Sequence, residues 1–208
     1  ESLDARLNRD TALEPATALR IARGIALSRD AIHQAGVQHN DLKPANMLLL
    51  SESTDDAPRV KLLDFGAALT ACDPATRDDL VVGTPQYMAP ERARGDAGDA
   101  RSDLYALGVT LYELATGRHP VAKEENPLRT AQRIVEHPLR PLGEALPSMH
   151  AAFAAWIDRL VAHDPTRRFQ SAVAAREALE FIEVPGTADR RATTRRETSP
   201  TDAYASEL

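Results

Sequence analysis

His39-Asn40-Asp41-Leu42-Lys43-Pro44-Ala45-Asn46, read together with Asp64-Phe65-Gly66 further on, decides how this chain folds. Upstream, Pro15 stands where a first helical position tolerates proline, and Ala18, Ile21, Ala22 and Ile25 then recur at helical spacing. A helix is therefore expected to run to about Gly36 and to deliver the chain directly to His39. Downstream, Met47-Leu48-Leu49-Leu50 and Val60-Lys61-Leu62-Leu63 read as two short strands on either side of a turn rich in Ser, Asp and Pro. Such a ribbon holds Asn46, at the start of its first strand, near Asp64, at the end of its second. Both side chains offer oxygen ligands, a donor type that suits a hard cation such as Mg2+.

Further motifs follow in order: Gly83-Thr84-Pro85-Gln86-Tyr87-Met88-Ala89-Pro90-Glu91, then Ser102-Asp103-Leu104-Tyr105-Ala106-Leu107-Gly108, then Asp164-Pro165-Thr166-Arg167-Arg168-Phe169. In this sequence they resemble the C-terminal lobe of eukaryotic-like (Hanks-type) bacterial serine/threonine protein kinases, from about Leu3 to Ile182. Lysine at position 43, followed by Pro44, is the pattern of the serine/threonine branch. The resemblance implies a mainly α (α+β) fold, a kinase-like C-terminal lobe that is helical, with a short β-ribbon bearing the catalytic and Mg-binding loops. It implies transfer of the ATP γ-phosphate to Ser/Thr hydroxyls of protein substrates. Asp41 would orient the attacking hydroxyl, Lys43 would neutralise charge on the γ-phosphate, and Thr84 would bridge these two. Asn46 and Asp64 would hold Mg2+, and Leu48 would lie beneath the adenine of ATP. Glu91 would pair with Arg168, and Asp103 would accept hydrogen bonds from the catalytic-loop backbone. His39, whose type suggests a general base, takes a packing role beside Phe65 in the same comparison.

The same template needs a glycine-rich loop over the phosphates and a nucleotide-anchoring lysine. The lysines are Lys43, Lys61 and Lys123, and Gly24 and Gly36 alone precede Gly66. No such clamp exists ahead of His39, and the chain opens on Glu1, so it is expected to be a C-lobe whose N-lobe lies in a longer parent chain. Isolated, it is expected to be inactive or nearly so, with Met47, Leu48 and Phe65 exposed on a cleft. The alternative is a pseudokinase or truncated C-lobe acting as a protein-binding scaffold. One departure falls inside the core motif: Asn40 replaces the arginine that usually precedes the catalytic aspartate and receives a phosphorylated activation-loop residue. Strong dependence on phosphorylation at Thr70 or Thr76 is therefore not expected.

At 208 residues the chain can bury a substantial core. A net charge of −6 with both signs interspersed gives no cationic footprint for nucleic acid. Cys72 is the single cysteine, which excludes an intrachain disulfide and points to a reducing compartment. No run reaches the roughly 20 apolar residues of a membrane span. A cytoplasmic kinase domain without membrane contact of its own is expected, in a parent that a downstream helix could anchor. High Ala and Arg usage hints at a bacterial source and hence bacterial signalling.

From Leu104 to Ala115 apolar residues occur all around the helical wheel, the mark of a helix buried centrally, with Gly117 as its terminator. Asp103 at its start is then a buried acid with a structural role. Phe153, Trp156, Ile157, Leu160 and Val161 form another inward stripe, ended by Asp164-Pro165. Ser171 is expected to cap a last helix carrying Val173, Ala178, Leu179 and Ile182. The expected division is a kinase lobe over 1–184 and a disordered polar tail over 185–208. The tail's Thr193, Thr194 and Thr198, beside arginine pairs, resemble kinase substrate sites, although a solvated linker accounts for the same composition. No pair of histidines or of histidine and cysteine has metal-ligand spacing.

Overall fold

The computed structural model describes residues 1–34, 37–51, 59–63, 69–70, 85–122 and 124–183, with backbone alone for 26–34, 37–38, 51 and 69–70. Ser2 caps the first helix, α1 (Leu3–Asp10), by accepting from the Ala5 amide at 3.1 Å. Helix α2 (Pro15–Gln34) begins at the proline marked in the sequence and buries Ala18, Leu19, Ile21, Ala22 and Ile25. It leads into β1 (Val37–Gln38), which pairs antiparallel with β4 (Leu69–Thr70).

The expected ribbon is formed by β2 (Met47–Ser51) and β3 (Arg59–Leu62), antiparallel, with Met47 opposite Leu62 and Leu49 opposite Val60. Period-two alternation sorts its side chains. Met47, Leu49, Val60 and Leu62 enter the core, whereas Leu50 is half exposed and Leu48 is partly buried. The expectation that Met47 faces a cleft is thus corrected: Met47 lies on the inward face of its strand and is wholly buried, and Leu48 and Leu50 occupy the other face. Residues 1 and 2 run alongside β2. The backbone nitrogen of Glu1 donates to the Leu49 carbonyl at 3.0 Å, and the Leu49 amide donates back to the Glu1 carbonyl at 2.8 Å.

The short helix α3 (Pro90–Ala93) precedes α4 (Ala100–Thr116), the central helix, on which nearly every side chain from Ser102 to Ala115 is buried. Asp99 and Ser102 form a capping box at its start. At its end Gly117 takes φ +70°, and a Cβ there would lie 2.4 Å from the backbone oxygen of Thr11, so glycine is required by both conformation and contact.

Helices α5 (Pro127–Glu136), α6 (Leu142–Ala145), α7 (Ala151–Leu160) and α8 (Ala172–Glu180) complete the lobe. The α7 stripe is inward as expected. Trp156 stacks on Phe153 at 6.1 Å and donates from its indole nitrogen to the Ala175 carbonyl at 2.9 Å. Ser171 caps α8, accepting from the Ala174 amide at 3.0 Å, and Leu179 and Ile182 are buried. Val173 lies on this helix and is exposed, because the helical period turns Ala172 and Ala175 inward. The segment expected to be a tail, 185–208, lies outside the described residues, as do Cys72 and Thr76. Among the described residues no helix is long and apolar enough to cross a membrane.

Candidate active site

The loop that follows β1 is fixed from beneath and from behind. Leu42 and Pro44 are buried, and Pro44–Asn46 makes one 3-10 turn in which the Asn46 amide donates to the Lys43 carbonyl at 3.0 Å. Behind the loop, Asp103 is almost wholly buried in the first turn of α4. Its two carboxylate oxygens accept from the amides of His39, at 3.0 Å, and Asn40, at 2.8 Å. These charge-assisted bonds hold Asn40 at φ +61°, a left-handed conformation that asparagine tolerates better than most residues. The structural role expected for Asp103 is the one it plays.

His39 is buried, and its Nε2 lies 2.9 Å from the Leu63 carbonyl. A carbonyl oxygen can only accept, so Nε2 is the donor in that bond. The Leu63 amide in turn donates to the Asn46 carbonyl at 2.8 Å, which closes the ribbon immediately before position 64.

In front of this scaffold, three of the residues singled out in the sequence converge. The Asp41 carboxylate receives the Lys43 ammonium at 2.8 Å on Oδ2 and 3.1 Å on Oδ1. The Asn46 side-chain nitrogen donates to the same Oδ2 at 2.8 Å and to the Asp41 backbone carbonyl at 2.9 Å. Asp41 and Lys43 each keep about a quarter of their side-chain surface open to solvent, 28% and 24%. The Asn46 amide nitrogen is thereby committed to Asp41, and its carbonyl oxygen is the atom left to offer a ligand. Asp64, Thr84 and Phe65 lie outside the described residues, so Thr84 between Asp41 and Lys43, and Asp64 opposite Asn46, remain expectations. Leu48 lies on the ribbon two positions beyond Asn46, on the strand face away from the core. Among the described residues no three His, Cys, Asp or Glu side chains cluster as a metal site.

The expected ion pair between Glu91 and Arg168 is present and buried. Arg168 Nη1 and Nη2 grip the two Glu91 oxygens at 2.7 and 2.8 Å, and Ser102 donates to the same carboxylate at 2.8 Å. Burial pushes the Glu91 carboxyl up, but the hydrogen bonds and charge of Arg168 outweigh it and hold the group below its ordinary range.

Other contacts had no sequence signal. Tyr87 donates to Glu113 at 2.6 Å. Burial raises the pKa of both groups, and the Glu113 carboxylate raises that of the tyrosine further. Arg92 of α3 donates to the Asn40 side-chain oxygen at 2.5 Å. Each joins residues distant in the chain that no spacing rule connects.

The protein kinase domain model matches residues 1–180. The chain belongs to the protein kinase family. Within that family it is 43% identical over 155 residues to the serine/threonine-protein kinase Pkn1 of Myxococcus xanthus, covering 72% of this chain and 22% of that protein. It is 34% identical over 176 residues to the serine/threonine-protein kinase PknB of Mycobacterium leprae, covering 82% of this chain and 27% of that protein. A probable serine/threonine-protein kinase of Corynebacterium efficiens matches at 35% over 180 residues, 83% of this chain and 26% of its own length. The chain therefore spans about a quarter of the length of the curated relatives it matches. The helix-rich lobe with its short ribbon is the kinase-like architecture that the sequence motifs imply.

Proposed function

We propose that this chain is the catalytic lobe of a serine/threonine protein kinase, transferring the γ-phosphate of ATP to Ser or Thr hydroxyls of protein substrates in the cytoplasm. The observation that carries the proposal is the Asp41 carboxylate, oriented by Lys43 and Asn46 in front while Asp103 pins the backbone behind it. A carboxylate so held is pre-set to align a substrate hydroxyl and accept its proton. Lys43 would turn from Asp41 toward the negative charge that develops on the transferred phosphate. Thr84 would fix the two side chains relative to each other, and Leu48 would line the adenine side of the cleft. Asn46 through its carbonyl oxygen, with Asp64, fits a hard cation such as Mg2+, because both are oxygen donors. Bound there, Mg2+ would neutralise the phosphate oxygens.

The chain carries no lysine and no glycine-rich segment before His39. In the active protein the cover over the nucleotide phosphates is accordingly supplied from outside these residues, by an N-lobe. The test is γ-phosphate transfer from Mg·ATP to a generic Ser/Thr peptide by the complete protein that carries this chain, beside its Asp41→Asn variant. Turnover is expected to fall by about 10²–10⁴-fold in the variant, the usual worth of a positioned acid or base, with nucleotide affinity largely retained. An unchanged rate refutes the assignment of Asp41, and inactivity of the unmutated protein favours a scaffold.

A further inference from the structure

Asn40 occupies the position immediately before Asp41, with its backbone in the left-handed region at φ +61° and its amide bonded to Asp103. Its side-chain oxygen accepts from Arg92 Nη1 at 2.5 Å, across 52 positions of sequence. Arg92 is no loose surface arginine. It belongs to α3, where the adjacent Glu91 is gripped by Arg168 and Ser102. Its aliphatic stem runs over Gly98, where a Cβ would lie 2.6 Å from Arg92 Cδ, 2.8 Å from Arg92 Cγ and 2.8 Å from Ser102 Oγ. Any residue larger than glycine at 98 would displace the stem and with it the guanidinium. A short acceptor at 40, a long cation at 92 and a bare backbone at 98 thus agree on one contact.

We infer that Arg92 is a positioning residue for the phosphoryl-transfer step, acting through Asn40 to tie the catalytic loop to α3. The inference rests on the function proposed above and deepens it. With an arginine at position 40 the loop would present a cation, and locking it would need an anion delivered from elsewhere. Here the polarity is reversed: the loop supplies a neutral acceptor and α3 supplies the charge, so the link exists without any modification. The bond is charge-assisted and partly buried, the class of hydrogen bond strong enough to select one loop geometry. Its far end stands on the Glu91–Arg168 pair, so the loop is referred to the rigid part of the lobe.

The experiment is a double-mutant cycle in the complete protein that carries this chain, with Arg92→Ala, Asn40→Gly, the double variant and Arg92→Lys. Glycine is chosen at 40 because it keeps the left-handed backbone without strain while removing the acceptor. Each single variant is expected to lower kcat about tenfold, within what a misplaced catalytic group costs, with KM for ATP and for the peptide nearly constant. The double variant is expected to be no slower than either single one, and Arg92→Lys to recover part of the rate. Amide hydrogen exchange at His39 and Asn40 is expected to quicken in both single variants. Multiplying effects in the double variant, a change confined to KM, or unchanged kcat with unchanged exchange would each overturn the tie. If the unmutated protein transfers no phosphate, the functional assignment fails, and the exchange measurement alone decides the tie. If Arg92→Ala does not fold, Asn40→Gly leaves Arg92 seated on Gly98 and carries the test.

Discussion

Replacing Arg168 by methionine removes a cation whose side chain is completely buried and whose donors are all engaged. Its Nε donates to the Ala162 carbonyl at 2.7 Å, Nη1 to Glu91 and to the Arg101 carbonyl at 3.0 Å, and Nη2 to Glu91 and to the His163 carbonyl at 3.3 Å. The guanidinium also faces the Tyr105 ring at 4.9 Å. Methionine fills much of the volume but leaves the Glu91 carboxylate buried without its counter-ion. Breaking one side of such a pair costs about 3–5 kcal/mol. For a lobe of this size that is a fall in Tm of roughly 10 °C.

The loss is expected to depend on pH, with a definite sign. In the unmutated protein the Glu91 carboxyl is held below its unfolded value, so its contribution is complete above that value, about 4.3, and is lost as pH falls through the lower folded pKa. In the variant the upward push of burial is no longer opposed by Arg168, so the folded pKa rises above the unfolded one. The penalty is then largest at neutral pH and shrinks on acidification toward pH 5. Urea denaturation at pH 7 and pH 5 measures both quantities. A double variant, Glu91→Leu with Arg168→Met, is expected to recover much of the loss, because paired removal leaves no buried charge. A loss under about 1 kcal/mol, or one equal at the two pH values, would refute the account of the pair.

Asp103→Asn keeps the size of the side chain but offers one acceptor oxygen where two amides now donate. It is expected to cost about 1–3 kcal/mol of stability, the penalty of an unsatisfied buried group, and to quicken hydrogen exchange at His39 or Asn40. Gly117→Ala puts a Cβ against the Thr11 backbone at a left-handed position, and calorimetry is expected to show a loss of about 2–4 kcal/mol from overpacking and αL strain together. Thr70→Ala with Thr76→Ala, in the complete protein, is expected to leave turnover within about twofold, because position 40 offers no cation to a phosphate. A loss of an order of magnitude would show that activation-loop phosphate is read elsewhere.

The sequence by itself determined the family and the order of elements, and it singled out Asp41, Lys43 and Asn46 as neighbours in one loop. Helical spacing from Pro15, alternation in the ribbon and the run of apolar residues after Asp103 each reflect local periodicity, and the lobe has the corresponding elements within a few residues. That Asp41, Lys43 and Asn46 belong to one neighbourhood was legible because the three lie within one loop and one turn, whereas the bonds from Lys43 and Asn46 to the Asp41 carboxylate came only from the structure. Tertiary structure decided everything that depends on which face of an element meets the core. Met47 is inward and Leu50 outward because the strand's phase is set by packing against the helices, and Val173 is outward because Ala172 and Ala175 fit closer against the lobe. It also decided the contacts between remote positions, Arg92 with Asn40 and Tyr87 with Glu113. Such pairs follow from where the chain is folded and not from any interval along it, so only the three-dimensional arrangement reveals them.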